Sequence, residues 1–173
     1  MPEGYPWYTA VFDQSFEQGD FLFRCPVLHT PQNFNLEIQV PQDVGIREQN
    51  VIVLSQSCDL ADTKAPPEHI TTCQLYFENE IDWNRDKWNS CRKGRLPRHH
   101  VLNRSDLQNL ETRFAVVDFA RIYSIPWNLA VEYAERRRPR PRLRLLPPYR
   151  EHLAQAFARY FMRVGLPVDI PEF

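Results

Sequence analysis

Short runs of β-branched and aromatic residues recur along the chain up to Ile125, and they predict strands. The segment FNLEIQV (34–40) alternates apolar and polar residues, which is typical of a strand with one buried face. The segment NVIVLSQS (50–57) starts as a continuous aliphatic run and predicts a strand buried on both faces. Because Asp118 interrupts one face of a later apolar segment, we expect a bulge or a strand end there. The same criteria predict further strands over 20–28, 69–77, 99–103 and 113–125.

The C-terminal part of the chain has a helical pattern instead. In YREHLAQAFARYFMRVG the apolar residues recur at steps of three and four and form one stripe. Pro148 suits a first helical turn and Gly165 suits a C-terminal cap, so the pattern predicts a helix over 149–164. The polar stretch 78–95 predicts a short helix and a loop. Several strands followed by one amphipathic helix indicate an α+β protein or a small barrel, without βαβ alternation.

This order of elements predicts a single domain with four parts. A length of 173 residues suits one domain with a sizeable core, and 43% hydrophobic residues argue against general disorder. The expected parts of the domain 1–173 are a barrel over about 17–135, an Arg/Pro-rich connector over 136–148, a helix over 149–164 and a tail over 165–173.

Composition also limits the compartment and the chemistry. The apolar runs are shorter than a membrane span, and the N-terminus lacks the basic start and apolar stretch of a signal peptide. The four cysteines form no C-x-x-C pair, so we expect free thiols in a cytoplasmic protein that does not contact membranes. The sequence contains neither a Rossmann glycine fingerprint nor a Walker loop, and no cofactor is expected.

The net charge of −1 conceals an asymmetry along the chain. From Arg136 onward nine arginines stand against three acidic residues, a net charge of +6, whereas residues 1–135 carry −7. Arginines alternating with prolines favour an extended, polyproline-like arm. Such an arm can reach successive phosphates, pair with carboxylates of the acidic part, or remain a solvated linker. The candidate nucleic-acid-binding residues are Arg136, Arg137, Arg138, Arg140, Arg142 and Arg144.

Several segments together resemble a known family. The pair EQGDFLF and GIREQNVIVLS is similar to the opening of the MazF/PemK/CcdB toxin fold, where a Gly-Asp strand precedes a Gly- and Arg-containing loop and a central strand ending in Ser. GRLPRHHVLN and RFAVVDFARIYSIPWNLA resemble its later strands, and a terminal helix follows. The resemblance implies a small SH3-like antiparallel β-barrel with a C-terminal helix. It also implies RNA, an antitoxin-like protein partner and a second copy of the chain as partners, since the family includes dimeric ribonucleases neutralised by proteins.

A metal-independent endoribonuclease is the activity that this resemblance implies. The family's ribonucleases use an Arg before the central strand and a Ser or Thr at the following one. Arg47 is nearest to the first position, and Thr71 and Thr72 are nearest to the second. Arg47 would stabilise the phosphorane charge, while Ser55, Thr72 or His100 would transfer protons from the RNA 2′-hydroxyl.

Three alternatives remain at this stage. Cys58 with Asp59 could form a thiol hydrolase site with His99 or His100 as base, or simply a corner of the fold. Zinc ligands are available, but their spacing matches no zinc ribbon or finger, so no metal is expected; they are Cys58, His69, Cys73, Cys91, His99 and His100. An aromatic content of 13% also suits a non-catalytic interaction module of a prokaryotic defence or stress system.

Overall fold

The computed structural model describes residues 5–29, 45–61 and 65–162, which form an α+β structure with a largely antiparallel sheet. The strands are β1 (Tyr8–Val11), β2 (Phe21–His29), β3 (Gly45–Val53), β4 (His69–Phe77), β5 (His99–Leu102), β6 (Ala115–Pro126) and β7 (Arg142–Leu145). The helices are α1 (Ser57–Leu60), α2 (Arg85–Arg92), α3 (Trp127–Arg136) and α4 (Tyr149–Phe161), with one 3-10 turn at Glu78–Glu80.

Five of the strands form one sheet in the order β2-β3-β4-β6-β5, and β1 pairs with β7 in a second, two-stranded sheet. A bridge between Asp20 and Arg144 joins the two sheets. Next to it, Gly19 has a φ of +89°, and a Cβ there would lie 2.8 Å from the Cβ of Leu145, so this close approach requires glycine. The strands and helices confirm the predicted α+β class. The hydrogen-bond ladder does not close within the described strands, so a closed barrel is not confirmed.

The long strand β6 contains the bulge expected at Asp118. Its register with β4 shifts between Cys73, opposite Ile122, and Gln74, opposite Asp118. The Asp118 carboxylate is 3% exposed and accepts two hydrogen bonds from Arg98, at 2.7 and 2.6 Å. The buried Asp118 carboxylate therefore lies at the bulge, where the Arg98 guanidinium pairs with it.

Two apolar clusters fill the structure. In one, α4 packs through Leu153 against the face of the sheet that carries Phe21 and Phe119. In the other, α3 packs through Ala130 against Ile70 and neighbouring residues of the opposite face. The helical stripe of the C-terminal segment thus covers one face of the sheet, as amphipathic helices do.

Most sequence predictions of elements are confirmed, and one needs correction. The strands predicted at 20–28, 69–77, 99–103 and 113–125 are present, as are the short helix within 78–95 and the C-terminal helix. The strand predicted over 50–57 is wrong in its second half, because β3 ends at Val53 and the chain turns into α1. The strand predicted at 34–40 and the tail 165–173 lie outside the described residues. Helix α3 and the pair β1 and β7 had no sequence prediction.

Candidate nucleic-acid interface

A groove of about 760 Å³ lies beside the start of β2 and the end of β4. We call it the Arg/Phe groove, after Phe23, Phe77, Arg113, Arg137 and Arg140 in its lining. The two phenyl rings lie 6.1 Å apart between centroids, and both are partly buried against the core below them. The groove thus has an aromatic floor and guanidinium groups around it.

A β-bulge in β2 fixes one side of this groove. The register of β2 with β3 shifts between Leu22 and Cys25, and Arg24 has a φ of +51°. The bulge frees the Phe23 carbonyl, which accepts hydrogen bonds from the Tyr133 hydroxyl at 2.7 Å and from Arg137 at 2.9 Å. Arg137 also lies over the Tyr133 ring at 5.4 Å. The Arg137 guanidinium is therefore held in place before any ligand arrives.

The charge of the groove is positive. Its lining contains Arg113, Arg137 and Arg140 against one acidic residue, Glu111. None of these three arginines forms an ion pair with another residue that the structure describes. Guanidinium groups of this kind bind phosphate oxygens in bidentate fashion, and phenyl rings stack with nucleic-acid bases.

Two members of the predicted arginine run, Arg137 and Arg140, line this groove, and the other four do not. Arg136 forms an ion pair with Glu132 on α3, and Arg138 is exposed. The expected extended arm therefore gives way to a turn after α3 and then to β7.

The side chains of Arg142 and Arg144 lie inside the fold. Both belong to β7, where their side chains are 7% and 10% exposed. Arg144 binds both oxygens of the fully buried Asp20 carboxylate and also bonds Glu17 at 2.6 Å. Arg142 donates to the Asp13 carbonyl at 2.8 Å. These two guanidiniums pair with the acidic N-terminal part, which was one of the alternatives for the arginine run.

The residues expected to form a catalytic site do not share one cleft. Arg47 is exposed in β3, and six residues of extended chain separate it from Val53, about 20 Å at about 3.3 Å per residue. The Ser55 hydroxyl accepts a hydrogen bond from the Thr71 amide at 2.8 Å. The Thr72 hydroxyl is buried and donates to the Tyr123 carbonyl at 3.2 Å. Both hydroxyls thus take part in local structure.

Cys58 and Asp59 lie together on the short helix α1. Both are exposed, and the Cys58 thiol lies 3.5 Å from an Asp59 carboxylate oxygen. Cys58 lines a second cavity of about 650 Å³ with Phe16 and Trp127, and no histidine lines it among the described residues. His100 lies on β5, which is three strands from β3, about 14 Å at about 4.8 Å per strand. Cys58 and His100 therefore occupy different cavities.

The other three cysteines are buried in the fold. Cys25, Cys73 and Cys91 are buried, and burial raises the pKa of their thiols to about 12, 12 and 11. Over residues 5–29, 45–61 and 65–162 no group of three or more His, Cys, Asp or Glu side chains is arranged to hold a metal ion. Buried neutral thiols of this kind behave as small apolar side chains.

His100 lines a smaller cavity of about 340 Å³, which we call the histidine cavity. Its polar lining consists of His99, His100, His152, Gln155 and Arg159. Burial, followed by the positive charge of His152, lowers the pKa of His100 to about 4, so its imidazole is neutral near pH 7.

The sequence named His100, Arg137 and Arg140 as candidates for other roles or surfaces, and it did not name several residues that line the same cavities. Phe23, Phe77 and Arg113 come from three distant segments, and no local pattern distinguishes them from other strand-end residues. The same limit applies to Arg159 and the cavity it lines.

Comparisons of the chain with family models, with curated proteins and with solved structures found no match. Among the helices that the structure describes, none is both long and apolar enough to cross a membrane.

Proposed function

We propose that this protein binds single-stranded RNA in the Arg/Phe groove. The observation that carries the proposal is the convergence of Arg113, Arg137 and Arg140 on a groove floored by Phe23 and Phe77. These guanidiniums lack carboxylate partners within the described chain, so their charge is available to an anionic ligand. RNA partnership is also what the resemblance to MazF/PemK/CcdB toxins implies.

The chemistry of the groove favours a single strand over a duplex. Unpaired bases can stack on phenyl rings, and each stacked base contributes about 1–3 kcal/mol. Arginines around the rings would then bind the phosphates that flank those bases. An acidic protein segment could use the same charges but would gain less from two neighbouring aromatic rings.

The proposal is RNA binding rather than cleavage by the residues expected from the resemblance. Arg47, Ser55 and Thr72 lie apart, and the last two hydroxyls already hydrogen-bond the backbone. A ribonuclease built on these three side chains would need them within reach of one phosphate.

The expected SH3-like barrel is compatible with this proposal. The Asp20–Arg144 bridge connects the β1–β7 pair to the edge strand β2. On the other side, the Tyr8 hydroxyl donates to the Asn103 carbonyl, just after β5, at 2.6 Å. These two links, one a backbone bridge and one a side-chain hydrogen bond, support a barrel-like ring of strands that the main hydrogen-bond ladder does not close.

The decisive experiment measures the salt dependence of RNA binding. Fluorescence anisotropy with a short, labelled single-stranded RNA should give a log–log slope near −2, because each phosphate contact contributes about −0.7 on single strands. Between about 50 and 200 mM salt, affinity should fall about 18-fold. Arg140→Gln removes one contact, so its affinity should fall only about 7-fold over the same range.

Arg138→Gln is the matched control, since Arg138 is exposed in the same run but does not line the groove. It should retain the slope of the unmodified protein. Phe77→Leu should weaken binding without changing the slope, because it removes stacking and no charge. If Arg138→Gln and Arg140→Gln reduced RNA affinity equally, RNA would bind to the arginine-rich surface in general and not to the groove. If the protein bound an acidic peptide more tightly than RNA, the ligand of the groove would be a protein.

A further inference from the structure

The histidine cavity lies between the start of β5 and one face of α4. Along α4, Gln155 follows His152 by three residues and Arg159 follows Gln155 by four. This spacing puts the three side chains on neighbouring turns of one face. They share the cavity lining with His99 and His100 from β5. Two separate elements therefore contribute nitrogen donors to one surface cavity, and the three side chains from α4 are exposed.

Each of the two imidazoles, His100 and His152, contacts an aromatic neighbour. The His100 ring stacks on Phe119 at 6.3 Å with an interplanar angle of 22°. The His152 ring makes an edge contact with Tyr149 at 6.2 Å. The positive charge of His152 is close enough to disfavour protonation of His100. Both rings are thus available as donors, but a positive charge on His152 disfavours a second positive charge on His100.

The charge of the lining is of one sign. No carboxylate is found among the described residues that line the cavity, and Arg159 forms no ion pair with a described residue. A metal cation would be repelled by the Arg159 guanidinium. An anion would neutralise it and remove the repulsion between the imidazoles.

We propose that the histidine cavity binds a phosphate group, with Arg159 and His152 supplying charge and His100 and Gln155 supplying further hydrogen bonds. A tetrahedral dianion can accept bonds from donors that approach from different sides, which suits side chains on two facing elements. A volume of about 340 Å³ lies at the lower end of the range for small-ligand sites, about 300–1,000 Å³. The ligand class is therefore free phosphate or the phosphate of a small monoester.

Proton uptake should accompany this binding. Burial and the charge of His152 keep His100 neutral in the free protein, and a bound dianion opposes both causes. The charged or titratable groups that line the cavity with His100 are His152 and Arg159 from α4 and His99 from β5. The Arg98–Asp118 ion pair lies next to His99. Acidification should therefore tighten anion binding through the histidines.

The test uses the full chain and follows the histidine ring resonances by NMR during titration with sulfate. Sulfate remains a dianion between about pH 6 and pH 8, so any pH dependence comes from the protein. We expect binding to be tighter at about pH 6, and Arg159→Gln should weaken it about tenfold, the loss of one charge-assisted hydrogen bond. His152→Gln should weaken it by removing one donor, and His100→Gln should remove most of the pH dependence.

Parallel titrations with inorganic phosphate and adenosine 5′-monophosphate identify the source of the phosphate. Equal affinities indicate free phosphate, and tighter binding of the nucleotide indicates a phosphomonoester. Arg104→Gln, an exposed arginine outside this cavity, is the matched control and should bind like the unmodified protein. The proposal is overturned if sulfate and phosphate leave the His100 and His152 resonances unmoved, or if Arg104→Gln weakens binding as much as Arg159→Gln. Arg140→Gln should not alter this titration, so the phosphate site can fail or hold independently of RNA binding.

Discussion

Burial of His100 makes part of the folding free energy depend on pH. Burial and then the charge of His152 lower the pKa of this imidazole from 6.5 to about 4. Between these two values the unfolded chain binds a proton at this position and the native chain does not, so the stabilising contribution is complete above about pH 6.5 and decreases as the pH falls. At about 1.4 kcal/mol per pH unit, the loss on reaching pH 4 is about 3 kcal/mol.

Urea unfolding of the unmodified protein and of His100→Gln measures this contribution. Carboxylates also titrate in the same range, but they are present in both proteins and cancel in the difference between their free energies of unfolding. That difference should shrink by about 3 kcal/mol as the pH falls from about 7 to about 4. His69→Gln, which removes an exposed histidine at the start of β4, is the control and should keep the pH dependence of the unmodified protein.

Parallel stability curves for the unmodified protein and His100→Gln would refute the reasoning. They would mean that the imidazole becomes protonated in the native protein as easily as in the unfolded chain. The histidine cavity would then have to be open to water or already occupied by an anion.

Two further predictions concern the buried ion pairs and the thiols. Asp20→Asn should lower the free energy of unfolding by about 3–5 kcal/mol, because it removes the buried carboxylate shared by Arg142 and Arg144 and leaves Arg144 with only the partly exposed Glu17; a loss below about 1 kcal/mol, measured by urea unfolding at neutral pH, would contradict this. Iodoacetamide should label Cys58 alone in the native protein and all four cysteines in urea, as counted by mass spectrometry; labelling of a second thiol under native conditions would show that the buried cysteines are accessible.

The strands were predictable where local composition and burial agree. The segment 69–77 is β-branched and aromatic and forms β4 with the expected bounds. The bulge at Asp118 was predictable because an unpaired carboxylate is costly to bury, so a strand that carries one on its buried face is expected to bulge or end there. The strand over 50–57 was predicted too long because no proline or glycine marks its end in the sequence, whereas β3 ends at Val53 and the chain then turns into α1.

Helix α3 was missed although its signal is present. Ala130, Tyr133 and Ala134 are buried at helical spacing, directly after the Pro126 that ends β6. The preceding residues have a strand pattern, and the resemblance assigns RFAVVDFARIYSIPWNLA to a barrel strand, so the first turn of this helix also fits a strand.

The two cavities were not predictable, because each depends on contacts between distant segments. Phe23 and Phe77 approach each other only after β2 and β4 have joined the sheet, and Arg137 is oriented by a carbonyl that a bulge releases. His100 and His152 line one cavity only because α4 packs over the sheet. Residue types and spacing along the chain do not contain these distances.

The charge asymmetry of the sequence shows why a basic segment is a poor guide to a binding surface. Arg142 and Arg144 alternate with Leu143 and Leu145 in a strand, and both guanidiniums are directed to the acidic residues near Asp20. Opposite charges from the two ends of the chain thus cancel inside the fold, where the sequence leaves phosphate and carboxylate as equal alternatives. The arginines available to a ligand are those without such partners, and the fold, rather than the density of arginine, decides which they are.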